Sequence, residues 1–260
     1  MTGSARPLSG RIALVTGATR QIGIGAAVCQ ALARQGADIA FTHFSTYDQA
    51  MYGTDSGEPA AIAAGLRELD VRVADIDIDL SEPDAGTRLL DEVEARLGSV
   101  TILVNNAAYS TRDGYEALDA ATLDKHYAVN LRTTALLSVH FARRFTGGEG
   151  GRIINLVSGQ NMGPMPGELA YVASKGAIAA FTLTLAAELA PRHITVNAVN
   201  PGITDTGWIT PEHRDVWLPQ MPRGRFGRGE DAARLIAWLA SDEATWVTGQ
   251  LINSTGGAPL

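Results

Sequence analysis

The chain has almost no cysteine. Cys29 is the single one in 260 residues, so no internal disulfide is available, and the apolar stretch around Val28 and Leu32 marks it as a small core residue. A basic face is missing as well. The 21 Lys and Arg are scattered among 28 Asp and Glu, for a net charge of −7, which disfavours nucleic acid or an anionic membrane as the main partner. No apolar run stands out as a membrane span, and Met1 to Gly10 has no apolar core of a secretion signal. The expectation is a cytoplasmic protein. Five histidines, at 43, 126, 140, 193 and 213, show no spacing that would gather ligands on one helix face, so no metal site is expected. Repeats, low-complexity tracts and linkers are also lacking, and residues 1–260 read as one domain.

What is present is an alternation of short β-type runs with longer helical ones. Strands are predicted at Ile12 to Val15, Asp38 to Phe41, Val71 to Ile76, Ile102 to Val104, Ile153 to Val157, Ile194 to Val199 and Gln250 to Asn253. Helices are predicted near residues 25–35, 60–69, 83–97, within 119–145, and near 167–190 and 231–240, while the polar stretch 45–59 reads as an interruption. Strands alternating with helices specify a parallel sheet covered on both faces. The predicted fold is therefore α/β, a doubly wound, Rossmann-type domain. Residues 203–226, rich in Pro, Gly and Trp, read as a lid after the sixth strand. Residues 109–118 and 159–169 are the other expected substrate-facing loops. Trp208, Trp217 and Met221 either face an apolar substrate or pack the lid, and Met162 and Met165 raise the same choice.

Between the first strand and first helix lies Thr16-Gly17-Ala18-Thr19-Arg20-Gln21-Ile22-Gly23-Ile24-Gly25. Glycines there let the backbone approach a pyrophosphate, whose charge the helix N-terminus stabilises. After the second strand, Thr42-His43-Phe44-Ser45 offers no acid to bind the ribose hydroxyls of NAD, whereas Arg20 offers a cation for a 2′-phosphate. Both features point to NADP (NADPH) over NAD.

Tyr171 and Lys175 stand four apart on a predicted helix and share one face. A nearby ammonium favours phenolate, pulling a tyrosine from its reference pKa of about 10 toward neutrality and making it a general acid or base. Ser158 ends a buried strand, where open α/β sheets place their ligands. A bare Tyr-x-x-x-Lys decorates many helices by chance, so its weight comes from this company.

Taken with Asn105-Asn106-Ala107-Ala108 and Asn200-Pro201-Gly202, these motifs resemble those of the short-chain dehydrogenase/reductase family over nearly the whole chain, and within it the 3-oxoacyl-acyl-carrier-protein reductase type. The resemblance implies that Ser158 and Tyr171 bind the substrate oxygen, that Tyr171 delivers the proton, that Lys175 holds the nicotinamide ribose, and that Asn130 holds a water in the proton relay. It implies cofactor contacts from Gly17, Thr19, Arg20, Gly23, Ile24, Asp79, Leu80, Asn106, Ala107, Tyr171, Lys175, Pro201, Gly202 and Thr206. It also implies a homotetramer paired through the two long helices flanking the Ser158 strand and through the last helix and strand. Ala177, Ile178, Ala180, Phe181, Leu185 and Leu189 add apolar surface beyond one sheet-facing stripe.

The chain departs from the family in three places. Five residues separate Gly17 from Gly23, so Gln21-Ile22 reads as an insertion in the usual Gly-x-x-x-Gly-x-Gly, and Ala108 stands for the last Gly of Asn-Asn-Ala-Gly. The non-basic Gly147-Gly148-Glu149-Gly150-Gly151 weakens the footprint for an acidic acyl carrier protein. A carrier-linked β-ketoacyl substrate and a free small ketone or alcohol, including a specialised metabolite, both stay open. A non-catalytic NADP-binding regulator is the reading from another class, and it leaves the Ser158, Tyr171 and Lys175 set unexplained.

Overall fold

A computed structural model describes residues 6–53 and 57–258. Seven strands form one parallel sheet: β1 (Ile12–Val15), β2 (Asp38–His43), β3 (Val73–Asp77), β4 (Ile102–Asn105), β5 (Gly151–Leu156), β6 (Ile194–Asn200) and β7 (Leu251–Asn253), in the order β3-β2-β1-β4-β5-β6-β7. Every residue of β1, β4, β5 and β6 is buried, as expected of strands covered on both faces. Because successive side chains point to opposite faces, Ala13 and Val15 enter one core while Ile12 and Leu14 enter the other. The first core packs under α1 (Ile24–Arg34) and α9 (Gly229–Ala240). The second takes apolar residues from α4 (Ala85–Arg96), α6 (Thr133–Arg144) and α7 (Leu169–Leu189).

Three sequence expectations need correction. Residues 45–52 do not interrupt the structure: they form α2 (Ser45–Tyr52), separate from α3 (Glu58–Arg67). Low hydrophobicity hid α2, which earns its place through polar contacts. The long helix within 119–145 begins as α5 (Ala120–His126), passes through a π-helical turn (Tyr127–Arg132) and continues as α6. Such turns are often found at functional sites, and this one carries Asn130. Finally, residues Leu169–Arg192 are long and apolar enough, by length and composition, to cross a membrane. In the fold α7 lies against the sheet with Ser174, Lys175 and Thr182 buried on its inner side.

Strand order reverses between β1 and β4, and ligands of open α/β sheets bind in the crevice outside the strand carboxyl ends at such a point. A buried polar ladder beside it ties β4 and β5 to α6 and α7. Asn105 donates to Ser138 Oγ at 3.0 Å and to Asn155 Oδ1 at 2.8 Å, and Asn155 donates to Thr182 Oγ1 at 2.9 Å. The lid segment is pinned at its base. Gly227 N donates to the Ile203 carbonyl and Asp205 N to the Gly227 carbonyl, both at 2.9 Å, and α8 (Pro211–Trp217) lies between these ends.

Candidate active site

A cavity of about 700 Å³ opens at the carboxyl edge of the sheet. All the residues expected to contact cofactor or substrate line it except Asn130.

Space around the glycines decides whether the inner end fits a dinucleotide. Gly17 has φ +75°, and a Cβ there would lie 2.7 Å from Ala107 Cα; one on Gly23 would lie 2.9 Å from the Arg20 carbonyl oxygen. A larger residue at either position would push the loop off its supports. Asn106 braces the same loop, donating from Nδ2 to the Thr16 and Gly17 carbonyls at 2.9 and 2.7 Å. Helix α1 has no acid in its first turn and no side-chain cap, and its start, Ile24 and Gly25, lines the cavity. A phosphate placed there meets open N–H groups and the positive end of the helix dipole. The residues present therefore fit a dinucleotide. Farther along, Asp79 accepts from Ser81 N at 2.7 Å, and the Leu80 carbonyl accepts from Thr133, so both are held in the wall. Gly202 has φ +68° and packs against Thr255, where a Cβ would come within 2.8 Å of Cα.

The insertion Gln21-Ile22 is anchored from outside the loop. Gln21 N donates to Glu58 Oε2 at 2.6 Å. Arg20 Nη1 donates to the Thr206 carbonyl at 2.7 Å, and its Nε lies 3.6 Å from Asp48 Oδ1. Asp48 reaches this point from α2 and also bonds Thr19; burial pushes its carboxyl up, against the Thr19 bond and the Arg20 charge. Sequence reading missed Asp48. Its signal was the Tyr-Asp pair inside a polar stretch that reads as loop, and only the helix turns that carboxylate inward.

At the middle of the cavity stand Ser158, Tyr171 and Lys175. Ser158 follows the buried β5 in an extended conformation, with Met165 Sδ 4.0 Å from its Oγ. Tyr171 and Lys175 project from successive turns of α7, and Lys175 Nζ lies 5.7 Å from the Tyr171 ring centroid. Lys175 is only 2% exposed, and its ammonium donates to the Leu156 carbonyl at 2.9 Å. Burial lowers its pKa from 10.5 to about 8.

Asn130 does not reach the cavity. Its side chain is fully buried, accepts from Tyr109 N at 2.7 Å, and donates to the Tyr109 carbonyl and to Ser174 Oγ, both at 2.9 Å. The amide expected in a proton relay thus ties the loop after β4 to the Tyr171 helix.

All three expected substrate-facing loops contribute to the outer end, through Thr111 and Arg112, Met165 and Glu168, and Trp208 and His213. Trp217 and Met221 instead pack within the lid around Phe226. Glu168, Thr111 and His213 were not singled out from sequence, because nothing local connects them.

A parallel sheet with a glycine-braced dinucleotide cleft, and a Ser, Tyr and Lys at its centre, defines a nicotinamide-dependent oxidoreductase domain. Residues 17–258 match the family model described as Enoyl-(Acyl carrier protein) reductase. An uncharacterized oxidoreductase of Bacillus subtilis, YjdA, is 51% identical over 249 residues, 95% of this chain and 96% of that one. The 3-oxoacyl-[acyl-carrier-protein] reductase FabG of Pseudomonas aeruginosa is 37% identical over 258 residues, 96% of this chain and 98% of that one. Among solved structures, a short-chain dehydrogenase from Burkholderia cenocepacia in complex with NADP superposes with a TM-score of 0.85 at 35% identity, covering 96% of this chain and 98% of that one. The chain belongs to the short-chain dehydrogenase/reductase family and is similar to its FabG-type ketoreductases.

Proposed function

We propose that the protein is an NADP(H)-dependent oxidoreductase acting on the carbonyl or hydroxyl carbon of a small molecule, with Tyr171 as its general acid and base. The observation that carries this reading is the buried Lys175 ammonium beside the Tyr171 ring in the cavity that Ser158 also lines. When bound, the nicotinamide supplies hydride to a carbonyl carbon or takes it from a carbinol. Ser158 Oγ and the Tyr171 hydroxyl hydrogen-bond the substrate oxygen and hold it in place. In reduction Tyr171 gives that oxygen its proton, and the neighbouring ammonium stabilises the phenolate that remains. An ammonium has three N–H groups. One of Lys175's goes to Leu156, and the others serve the cofactor ribose. Asn130 acts through Tyr109 and Ser174 as a positioning residue.

A free small ketone is the substrate class we favour over a carrier-linked acyl chain, because residues 147–151 are not basic. A turnover screen of free ketones, alcohols and a carrier-linked β-ketoacyl thioester, with both nicotinamides, tests the assignment. Turnover of none of them would sink it.

The NADP(H) preference rests on Arg20 and on Thr42, His43 and Phe44 at the end of β2, and a family relative of similar structure binds NADP. Arg20→Ala is expected to narrow the gap between NADP(H) and NAD(H) by roughly 1.5–3 kcal/mol, the scale of a charged hydrogen bond. Asp48→Asn should widen it, since the like charge beside a 2′-phosphate disappears. Isothermal titration showing equal or tighter NAD(H) binding by the wild type rejects the preference.

We further propose a homotetramer. Ile178, Leu185 and Leu189 are buried in the monomer, yet Leu183 on α7 is 63% exposed, Trp238 on α9 38%, and Trp246 before β7 97%. Large apolar side chains on these elements are the surfaces that a symmetric assembly covers. Light scattering at micromolar concentration should return a multiple of the 27.4 kDa chain mass, and a monomeric mass defeats the proposal.

A further inference from the structure

The outer end of the cavity holds polar groups that the proton-transfer chemistry does not use. Glu168 is the N-cap of α7, three residues before Tyr171 and seven before Lys175, at the end of the helix that carries both. All three line the cavity. Three residues of helix rise about 4.5 Å, which sets the separation between the Tyr171 level and the Glu168 level. The Glu168 side chain is 16% exposed and pairs with Arg112 Nη1 at 2.7 Å. Its position is held from the loop after β4. Asp113 N donates to the Gly167 carbonyl at 2.8 Å, and the Asp113 carboxylate accepts from Leu169 N at 2.6 Å and Ala170 N at 3.1 Å.

Two other walls face this point. From the lid comes His213, stacked on Trp217 with centroids 4.4 Å apart and planes 7° apart. From the loop after β4 comes Thr111. His213 Nδ1 and Thr111 Oγ1 are buried and have no hydrogen-bond partner, and both residues line the same cavity. Buried polar atoms are normally paired. Thr111 and His213 bring two such atoms from separate segments to the lining of one cavity, where a ligand can supply the partner.

We propose that Glu168, His213 and Thr111 form a subsite for a neutral hydroxyl group carried by the substrate about one helical turn from its reacting oxygen. This rests on the reductase reading above. A hydroxyl both donates and accepts, so it can donate a hydrogen bond to the Glu168 carboxylate and accept one from the Thr111 hydroxyl. Charge selects against the alternatives: an ammonium would face Arg112, and a carboxylate or phosphate would face Glu168. Burial pushes the Glu168 carboxyl up; Arg112 opposes this, Asp113 adds to it, and His213 opposes it, which places His213 within electrostatic reach of Glu168. Trp208 offers its ring to the carbon skeleton between the two oxygens.

The test compares 4-hydroxycyclohexanone with 4-methylcyclohexanone at saturating cofactor. Sites built to bind a hydroxyl reject the analogue that lacks it, so the wild type should favour the hydroxyketone at least about tenfold in kcat/KM. Thr111→Val, His213→Phe and Glu168→Gln should each compress that ratio, chiefly through the KM of the hydroxyketone. Val keeps the shape of Thr, and Phe keeps the stack on Trp217. Equal kcat/KM for the two ketones in the wild type, or a ratio untouched by all three substitutions, overturns the subsite alone. Reduction of no ketone in the wider screen overturns the reductase reading and the subsite together.

Discussion

Tyr171→Phe should lower kcat by about 10² to 10⁴, the usual worth of general acid–base catalysis, while the dissociation constant for NADP(H) stays close to that of the wild type. The ring remains, so the packing of α7 is kept; only the hydroxyl that would donate to the substrate oxygen is lost. Cofactor affinity survives because the pyrophosphate end is built from other parts: the Gly17 to Gly23 loop, the start of α1, and Asn106 bracing the loop carbonyls. Stopped-flow or steady-state rates with the best ketone of the screen, together with a cofactor titration, measure both quantities. A variant with wild-type kcat would remove Tyr171 from the mechanism. Loss of cofactor binding and turnover in equal measure would instead mark a structural defect and overturn the expectation that cofactor affinity survives.

Lys175→Met should damage both quantities at once, lowering the rate by about 10² or more, as loss of one electrostatic stabiliser commonly does, and weakening cofactor binding through the ribose. In the direction of alcohol oxidation, which needs phenolate, any surviving activity should move to higher pH because the cation that favours phenolate is gone. Stability should change in the opposite sense. Burial lowers Lys175 from 10.5 to about 8, so between those values the unfolded chain binds the proton and the folded chain does not. Stability contributed by this site therefore rises as pH climbs through that window, and the cost of the buried charge is full below about pH 8. The thermal stability gained by Lys175→Met should accordingly be largest below pH 8 and shrink toward pH 10. An unchanged pH–rate profile with normal turnover removes Lys175 from the mechanism, and a stability difference that is flat with pH removes the buried charge.

Much of this architecture was legible in the chain. Short apolar runs such as Ile12 to Val15 and Ile102 to Val104 are buried on both faces and read as strands, and Gly202 sits where its positive φ and the approach of Thr255 exclude a side chain. The polar α2 was not legible, because its contacts to Thr19 and Arg20 leave no apolar period to detect. The extent of α7, expected near 167–190 and found at Leu169–Leu189, was legible; that its composition also suits a membrane span was not, since Ser174, Lys175 and Thr182 interrupt the run while facing inward. The side-chain partners of Asn130 were not legible for another reason. A π-helical turn shifts which residues face the core, so a position matched by motif alone says nothing of where the amide donates.

By itself the sequence determined the layered parallel sheet, the glycine loop and the Tyr171 and Lys175 spacing, because each is written in local period or in short separations along one element. Tertiary structure alone decided what surrounds them. Asp48 meets Arg20 across α2, Arg112 meets Glu168 from a different loop, and Thr111 and His213 come to one cavity from segments on either side of the Tyr171 helix. Side chains so far apart in the chain carry no shared period, and only the folding of both loops over the carboxyl edge of the sheet brings their polar atoms to a common point.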